Sequence, residues 1–325
     1  MRRKPHLFGE KMNSLQISLN AVTPFAFYIV YGMILKKLGA VDVDFMKKVN
    51  NFSFKCLFPT MIFWNLYSSQ DNMVINPTLM IVAISALCVT ILAASAFCIK
   101  FIADKPKQPV IVQAIYRSNS LLFALPLTTS IFGAESRAVA TMTIAVIVPF
   151  YNVSSVLLFE FFRGGKRDAK SLLKKVLTNP IIMGAIVGFS AMLIHLHLPA
   201  PIEKPIGAIS SMVTPLACII LGTQLNMKSV VKDLKYIVPT LAAKLILLPA
   251  LSLPLSMLFG FSPVERFVFF SIFATPIATS SFPMAASMGG DGDLAAELVA
   301  MSTVGSVITL FFWILLLNTT GILFG

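Results

Sequence analysis

The chain has 325 residues, 57% hydrophobic and 12% charged, with a formal net charge of +12 and a mean hydropathy of +0.84. A soluble domain carries about 25% charged residues, so this chain lacks the material for a wetted surface, and lipid must be its main solvent. Its basic residues stand in short gaps between apolar runs, where they act as orientation signals at a bilayer; this excludes nucleic acid as a partner.

A bilayer crossing needs about 20 mostly apolar residues, and ten segments qualify. A basic tail, 1–14, precedes them and contains a second candidate start, Met12. The segments are Leu15–Leu35, Phe45–Ser68, Thr78–Ile102, Pro109–Phe132, Ser136–Phe162, Leu177–His197, Ile202–Leu225, Leu234–Phe259, Pro263–Met288 and Leu294–Thr319. The gaps after the odd-numbered segments carry Lys36, Lys37, Lys47 and Lys48, then Lys100, Lys105 and Lys107. The long basic stretch from Arg163 to Lys175 follows, and then Lys228, Lys232 and Lys235. The opposite gaps carry only Arg137, Lys204 and Arg266. The rich side is therefore expected to be cytoplasmic, with both termini outside and the chain multi-pass in the cell membrane.

An internal repeat runs through the segments. Pro24 aligns with Pro180 at an offset of 156, which brings Gly32 onto Gly188 and Pro59 onto Pro215. Pro126 aligns with Pro283 at an offset of 157, which brings Gly133 onto Gly290. Five segments per half is an odd number, so the halves are expected to have opposite topology, the inverted-repeat plan of secondary transporters. The first repeat is 15–163, a basic cytoplasmic linker 164–176 follows, the second repeat is 177–320, and 321–325 is a short tail.

Segments four and nine are interrupted. Arg117, Ser118, Asn119 and Ser120 fall mid-segment in the first, and Thr275, Pro276, Thr279, Ser280, Ser281 and Pro283 in the second. Polar groups at mid-bilayer depth are costly unless they face protein or water. Thr275 before Pro276 reads as a cap and first helical residue, and Asn119 as a cap for the helix from Ser120. The repeat register puts Asn119 over Pro276, so both signals choose one break per segment; Pro126 and Pro283 are further helix-breaking residues. A half-helix starting there aims bare amides at the membrane centre. The expected substrate is a small organic anion, its carboxylate held by backbone donors after Asn119 and Pro276, by Arg117, and by the hydroxyls of Ser118, Ser120, Thr279 and Ser280. The alternative is that these Ser and Thr residues only mend proline kinks.

Asn65 and Asn152 are candidate cavity-lining residues. Lys244, in an apolar run, reads either as a substrate counter-charge or as a snorkelling side chain. Glu160 reads as an interfacial partner of Arg163, and Asp293 as the cap of segment ten. The cysteines Cys56, Cys88, Cys98 and Cys218 read as buried small hydrophobes. No spacing suggests a metal, a cofactor or a catalytic cluster.

The chain resembles the auxin efflux carrier family, which includes PIN-type plant carriers and bacterial dicarboxylate permeases. The resemblance is carried by QAIYRSNSLLFALPL, LLFEFFRGG, PLACIILGTQL and TPIATSSFPMA. It implies an all-α membrane fold of ten helices in two inverted five-helix repeats, with helices four and nine crossing at breaks beside the substrate. It also implies a scaffold part and a moving transport part, and a homodimer. The family's crossover asparagine falls on Asn119, its following proline on Pro126 and its second crossover proline on Pro276. Plant members carry proline where this chain has Ser118, and polar residues near Ile62 and Ile147. These departures point away from auxin, and the bacterial relatives point to malate or malonate. A sodium-coupled symporter of the bile-acid type is the alternative; it would require a mid-membrane acid, and none is apparent in the segments.

Overall fold

A computed structural model of the chain describes residues 23–24, 26–68, 76–133, 136–164, 177–225 and 227–322. The tail 1–14 and the linker beyond Gly164 lie outside the described residues. Helices make up the regular structure described, apart from one isolated antiparallel bridge between Ser118 and Ile277. α1 covers 26–37. α2 comprises Val43–Phe52, a π turn Ser53–Leu57 and Phe58–Tyr67. α3 is Pro77–Phe101. α4a is Lys107–Tyr116, and α4b comprises a π turn Ser120–Ala124 and Leu125–Phe132. α5 is Arg137–Arg163, α6 is Pro180–Leu193 and α7 is Ala200–Gln224. α8 comprises Met227–Ala242, a π turn Ala243–Leu247 and Leu248–Leu258. α9a is Pro263–Ala274, α9b is Ser281–Met288 and α10 is Gly292–Thr319. α3, α5, α7, α8 and α10 are each long and apolar enough to cross a membrane.

Local chemistry starts and stops these helices. Asn76 accepts from the amides of Thr78 at 3.0 Å and Leu79 at 3.2 Å, and Pro77 takes the first helical position, where no N–H is needed. Asn179 and Pro180 start α6 in the same way, and Ser262 with Glu265 closes a reciprocal capping box on α9a. α10 is capped by Asp291, which accepts from the Leu294 amide at 2.9 Å. This corrects the assignment to Asp293, which lies within the first turn. α6 stops at Leu193, short of the expected His197, because His195 adopts a left-handed φ of 49°.

The π turn in α8 has a readable cause. Pro249 cannot donate to the carbonyl four residues before it, Leu245. That carbonyl accepts instead from the indole N–H of Trp313 on α10 at 2.9 Å. The wider turn carries Lys244, which is fully buried.

The helices pack as two groups. α2 packs most extensively on α6 and α7, and α1 joins them where Gly32 meets the backbone of Ile219 and Gly222 on α7. In the other group α3 packs on α4a, α8 on α9a, and α10 on α9b and α8, with α5 alongside. Glycine permits two close crossings in the first group. At Gly188 a Cβ would stand 2.9 Å from the Cα of Phe63 on α2. Gly32 meets Ile219 in the same manner, and both residues of that pair are displaced by 156 from Gly188 and Phe63. A second pair of contacts is displaced almost equally. Asn76 donates to Glu265 at 2.5 Å, and Lys107 donates to Asp233 at 2.6 Å. Each ties the start of one long helix (α3 or α8) to the start of an interrupted one (α9a or α4a).

The outer surface is apolar. Leu92, Leu258 and Phe312 are among many large exposed hydrophobic side chains. Cys98 and Cys218 are buried, but Cys56 and Cys88 are exposed; in a chain solvated by lipid, a small apolar residue need not be inside.

Candidate functional site

The two interrupted helices meet at their breaks. α4a ends at Tyr116, and Arg117 turns the backbone to an extended conformation with φ −86° and ψ 116°. α9a ends at Ala274, and Thr275 does the same with φ −75° and ψ 154°. The two extended pieces run antiparallel with Ser118 opposite Ile277. The Asn119 amide donates to the Pro276 carbonyl at 2.8 Å. The Ile277 amide donates to the Ser302 hydroxyl of α10 at 3.1 Å. Buried backbone groups in an apolar interior need partners, and this crossing provides them without a continuous helix.

The details differ from the capping expected of the sequence. The Thr275 hydroxyl donates back to the Ser271 carbonyl at 3.0 Å and caps nothing downstream. α9b begins at Ser281, so Pro276 is in the crossing and not at a helix start. Asn119 does precede the helix from Ser120, but its side chain makes no capping bond. Pro126 and Pro283 lie inside the second halves, close to their starts, and not at the breaks. The amides of Asn119 and Ile277 are occupied, so the donors left for a ligand are side chains and the first-turn amides beyond them.

A cavity of about 50 Å³ opens at the crossing. Met61 and Asn65 of α2, Thr214 of α7, and Val148 and Tyr151 of α5 line one part of it. Arg117, Ser118, Asn119, Ser120, Ala278, Thr279 and Ser280 line the rest. That volume suits one or two waters and is too small for an organic solute. Larger recesses of about 520 Å³ lie elsewhere. One is an apolar groove between α3 and α8 on the lipid-facing surface, and the other is polar, between Lys47, Asn50 and Asn51 of α2 and residues 286–293. Among the described residues, polar groups from both broken helices converge on the small cavity.

Arg117 is 3% exposed. Its guanidinium donates to Asn152 at 2.8 Å, to Ser280 at 2.8 Å, to Ser155 at 3.0 Å and to the Met284 sulfur at 3.0 Å. Asn152 therefore holds Arg117 and does not line the cavity. The Tyr116 hydroxyl meets Ser155 at 2.7 Å and extends the network. On the other side of the crossing the Lys244 ammonium donates to the Ser118 hydroxyl. Ser118 in turn donates to the Ile272 carbonyl, which also accepts from Tyr151 at 3.2 Å. Ser120 is buried and lines the cavity beside Tyr151. No acid pairs with Arg117 or Lys244 among the described residues.

Of the residues singled out from sequence, Asn65, Arg117, Ser118, Asn119, Ser120, Thr279 and Ser280 come together here, whereas Thr275, Pro276 and Asn152 stand behind them. Sequence reasoning missed Tyr151, Ser155, Met61 and Thr214. Val148, Tyr151, Asn152 and Ser155 do share a helix face at spacings of three and four, a signal that could have identified that stretch of α5. Glu160 pairs with Arg163 at 3.3 Å, away from the site.

An apolar multi-helix chain whose two broken helices cross around a buried polar cavity is a multi-pass membrane transport protein. Residues 17–314 match the family described as Membrane transport protein, and the chain belongs to that family, the auxin efflux carrier type. It is similar to an uncharacterized transporter of Methanothermobacter thermautotrophicus, 24% identical over 302 residues, covering 88% of this chain and 93% of that protein.

Proposed function

We propose that the chain is a secondary transporter moving small organic anions, of the dicarboxylate class such as malate or malonate, across the cell membrane by alternating access. One observation carries this reading: a buried arginine without an acidic partner among the described residues, beside a cavity lined by hydroxyls and amides from two broken helices. A buried cation is costly unless something anionic compensates it, and here the substrate does so. Asn65, Asn119, Ser120, Thr279 and Ser280 are the polar groups that orient the carboxylates, and Asn152 and Ser155 hold Arg117 toward Ser280.

The proposed architecture is ten crossings in two inverted repeats. Its support is the paired glycine crossings and the paired ties at Asn76 and Asp233, each recurring at nearly the same offset. α1, α2, α6 and α7 form the scaffold, and the remaining helices move against it. The polar recess near Lys47 lies on the lysine-rich, cytoplasmic side. Along α9b it is about 10 Å from the cavity, given a rise of about 1.5 Å per residue. The π turn of α2 packs on α9b between them and is the barrier that parts when the substrate is released inward.

Counterflow of labelled malonate or malate in proteoliposomes tests the function. Exchange is expected, unchanged when choline replaces sodium, because no carboxylate among the described residues lines the cavity. Folded protein that exchanges no organic anion refutes the reading, and exchange that stops without sodium refutes its uncoupled form.

A further inference from the structure

Arg117 is gripped from two sides, and the two grips are unequal. α5 presents Asn152 and Ser155 on one face, and both accept from the guanidinium through oxygen, at 2.8 Å and 3.0 Å. The start of α9b presents Ser280 and Met284, also on one face, at 2.8 Å and 3.0 Å. Met284 is 0% exposed, and its sulfur also accepts from the Gln113 side-chain amide at 3.3 Å. Gln113 stands one helical turn before Arg117 on α4a and is itself buried. Two buried donors therefore share one thioether, and a thioether is a weak acceptor. Buried guanidinium groups are ordinarily met by oxygen. Here the N–H on Nε has no hydrogen-bond partner among the described residues, and one on Nη1 meets only sulfur.

We propose that Met284 is a positioning residue for the substrate: its weak acceptor leaves Arg117 anchored on α5 but loosely held by α9b, so that a carboxylate can displace the α9b contacts. This rests on the transporter reading above and names the residue that sets how available its arginine is. The geometry gives the exchange a direction. Arg117 and Ser280 both line the cavity, whereas Met284 stands behind them. An arriving carboxylate competes with α9b for the guanidinium at Ser280, and the sulfur behind offers little resistance to the shift. An oxygen in place of that sulfur would resist it. A hydrogen bond between a charged donor and an oxygen changes a binding constant by about tenfold or more. That stabilisation would belong to the empty protein and would have to be given up when the substrate binds. Stability and substrate affinity therefore move in opposite directions as the acceptor at position 284 is strengthened. A residue that only fills space would move them together.

The test is counterflow of labelled malonate, read as half-saturation concentration and maximal rate, with melting followed on the same preparations. Met284→Gln puts an amide oxygen where the sulfur stands, on a side chain of similar length. It is expected to raise the half-saturation concentration about tenfold, with melting at or above that of the parent. Met284→Leu removes the acceptor and conserves the volume. It is expected to keep half-saturation within about threefold of the parent, or to lower it. Equal half-saturation in the two variants overturns the assignment, and so does a glutamine variant that melts below the leucine variant. A leucine variant weakened by more than about threefold also overturns it, because the sulfur would then be a contact the substrate complex requires; this variant decides the matter alone where the glutamine variant does not insert. Each of these failures leaves exchange by the parent chain intact. A parent chain that exchanges no organic anion instead removes the transporter reading, and the assignment with it.

Discussion

Asn119 has two separable roles, and two substitutions distinguish them. Its amide donates to the Pro276 carbonyl at 2.8 Å, while its side chain lines the cavity and caps nothing. Asn119→Ala keeps the amide, so the crossing should stay intact, with a stability change within about 0.5 kcal/mol. It removes a donor facing the substrate. A hydrogen bond to a charged group contributes about 1.5–3 kcal/mol, so malonate binding should weaken by about ten- to a hundredfold. Asn119→Pro removes the amide as well. The native φ of −85° is close to what proline requires, so the main cost is a buried Pro276 carbonyl left without its donor, about 1–3 kcal/mol. Melting can be followed with a thiol-reactive dye after Cys56 and Cys88 are replaced by serine, because Cys98 and Cys218 are buried and react only on unfolding. The proline variant should melt a few degrees lower, given at most about 2–4 °C per kcal/mol in a chain of this size, and the alanine variant should melt like the parent. Equal melting shifts in the two variants, or undiminished malonate affinity in Asn119→Ala, would refute this division of roles.

Two further outcomes test the frame around the site. Gly188→Ala places a Cβ 2.9 Å from the Cα of Phe63, so α6 must separate from α2 at a cost of about 1–3 kcal/mol; Gly305→Ala, whose Cβ would meet only a Leu245 methyl at 3.4 Å, should leave melting unchanged, and equal effects would refute the close-crossing argument. Lys107 and Asp233 pair at 2.6 Å with side chains 12% and 8% exposed, so Lys107→Met or Asp233→Leu alone should cost more stability than the two together, with a coupling of about 1–3 kcal/mol in a double-mutant cycle; additive effects would mean the tie contributes nothing.

The amino-acid sequence by itself determined that the chain lives in lipid, that it is helical, and which two helices are broken. These are matters of local composition: apolar runs of spanning length, and prolines and hydroxyl residues where a continuous helix would need neither. It also carried the starts of α3, α6 and α9a, because a capping Asn or Ser followed by Pro acts within one turn. Tertiary structure decided how the breaks are satisfied. Thr275 looked like a cap but bonds backward to Ser271, because Pro276 after it has no amide to offer and the Ile277 amide found its partner on α10. It also decided that Asn152 serves Arg117 and not the cavity, and that Lys244 turns inward to Ser118 and does not reach the membrane surface. A lysine in an apolar run reads the same in either case; its direction depends on the π turn that Pro249 opens, on Trp313 from a helix over 60 residues away, and on where the other broken helix offers it an oxygen.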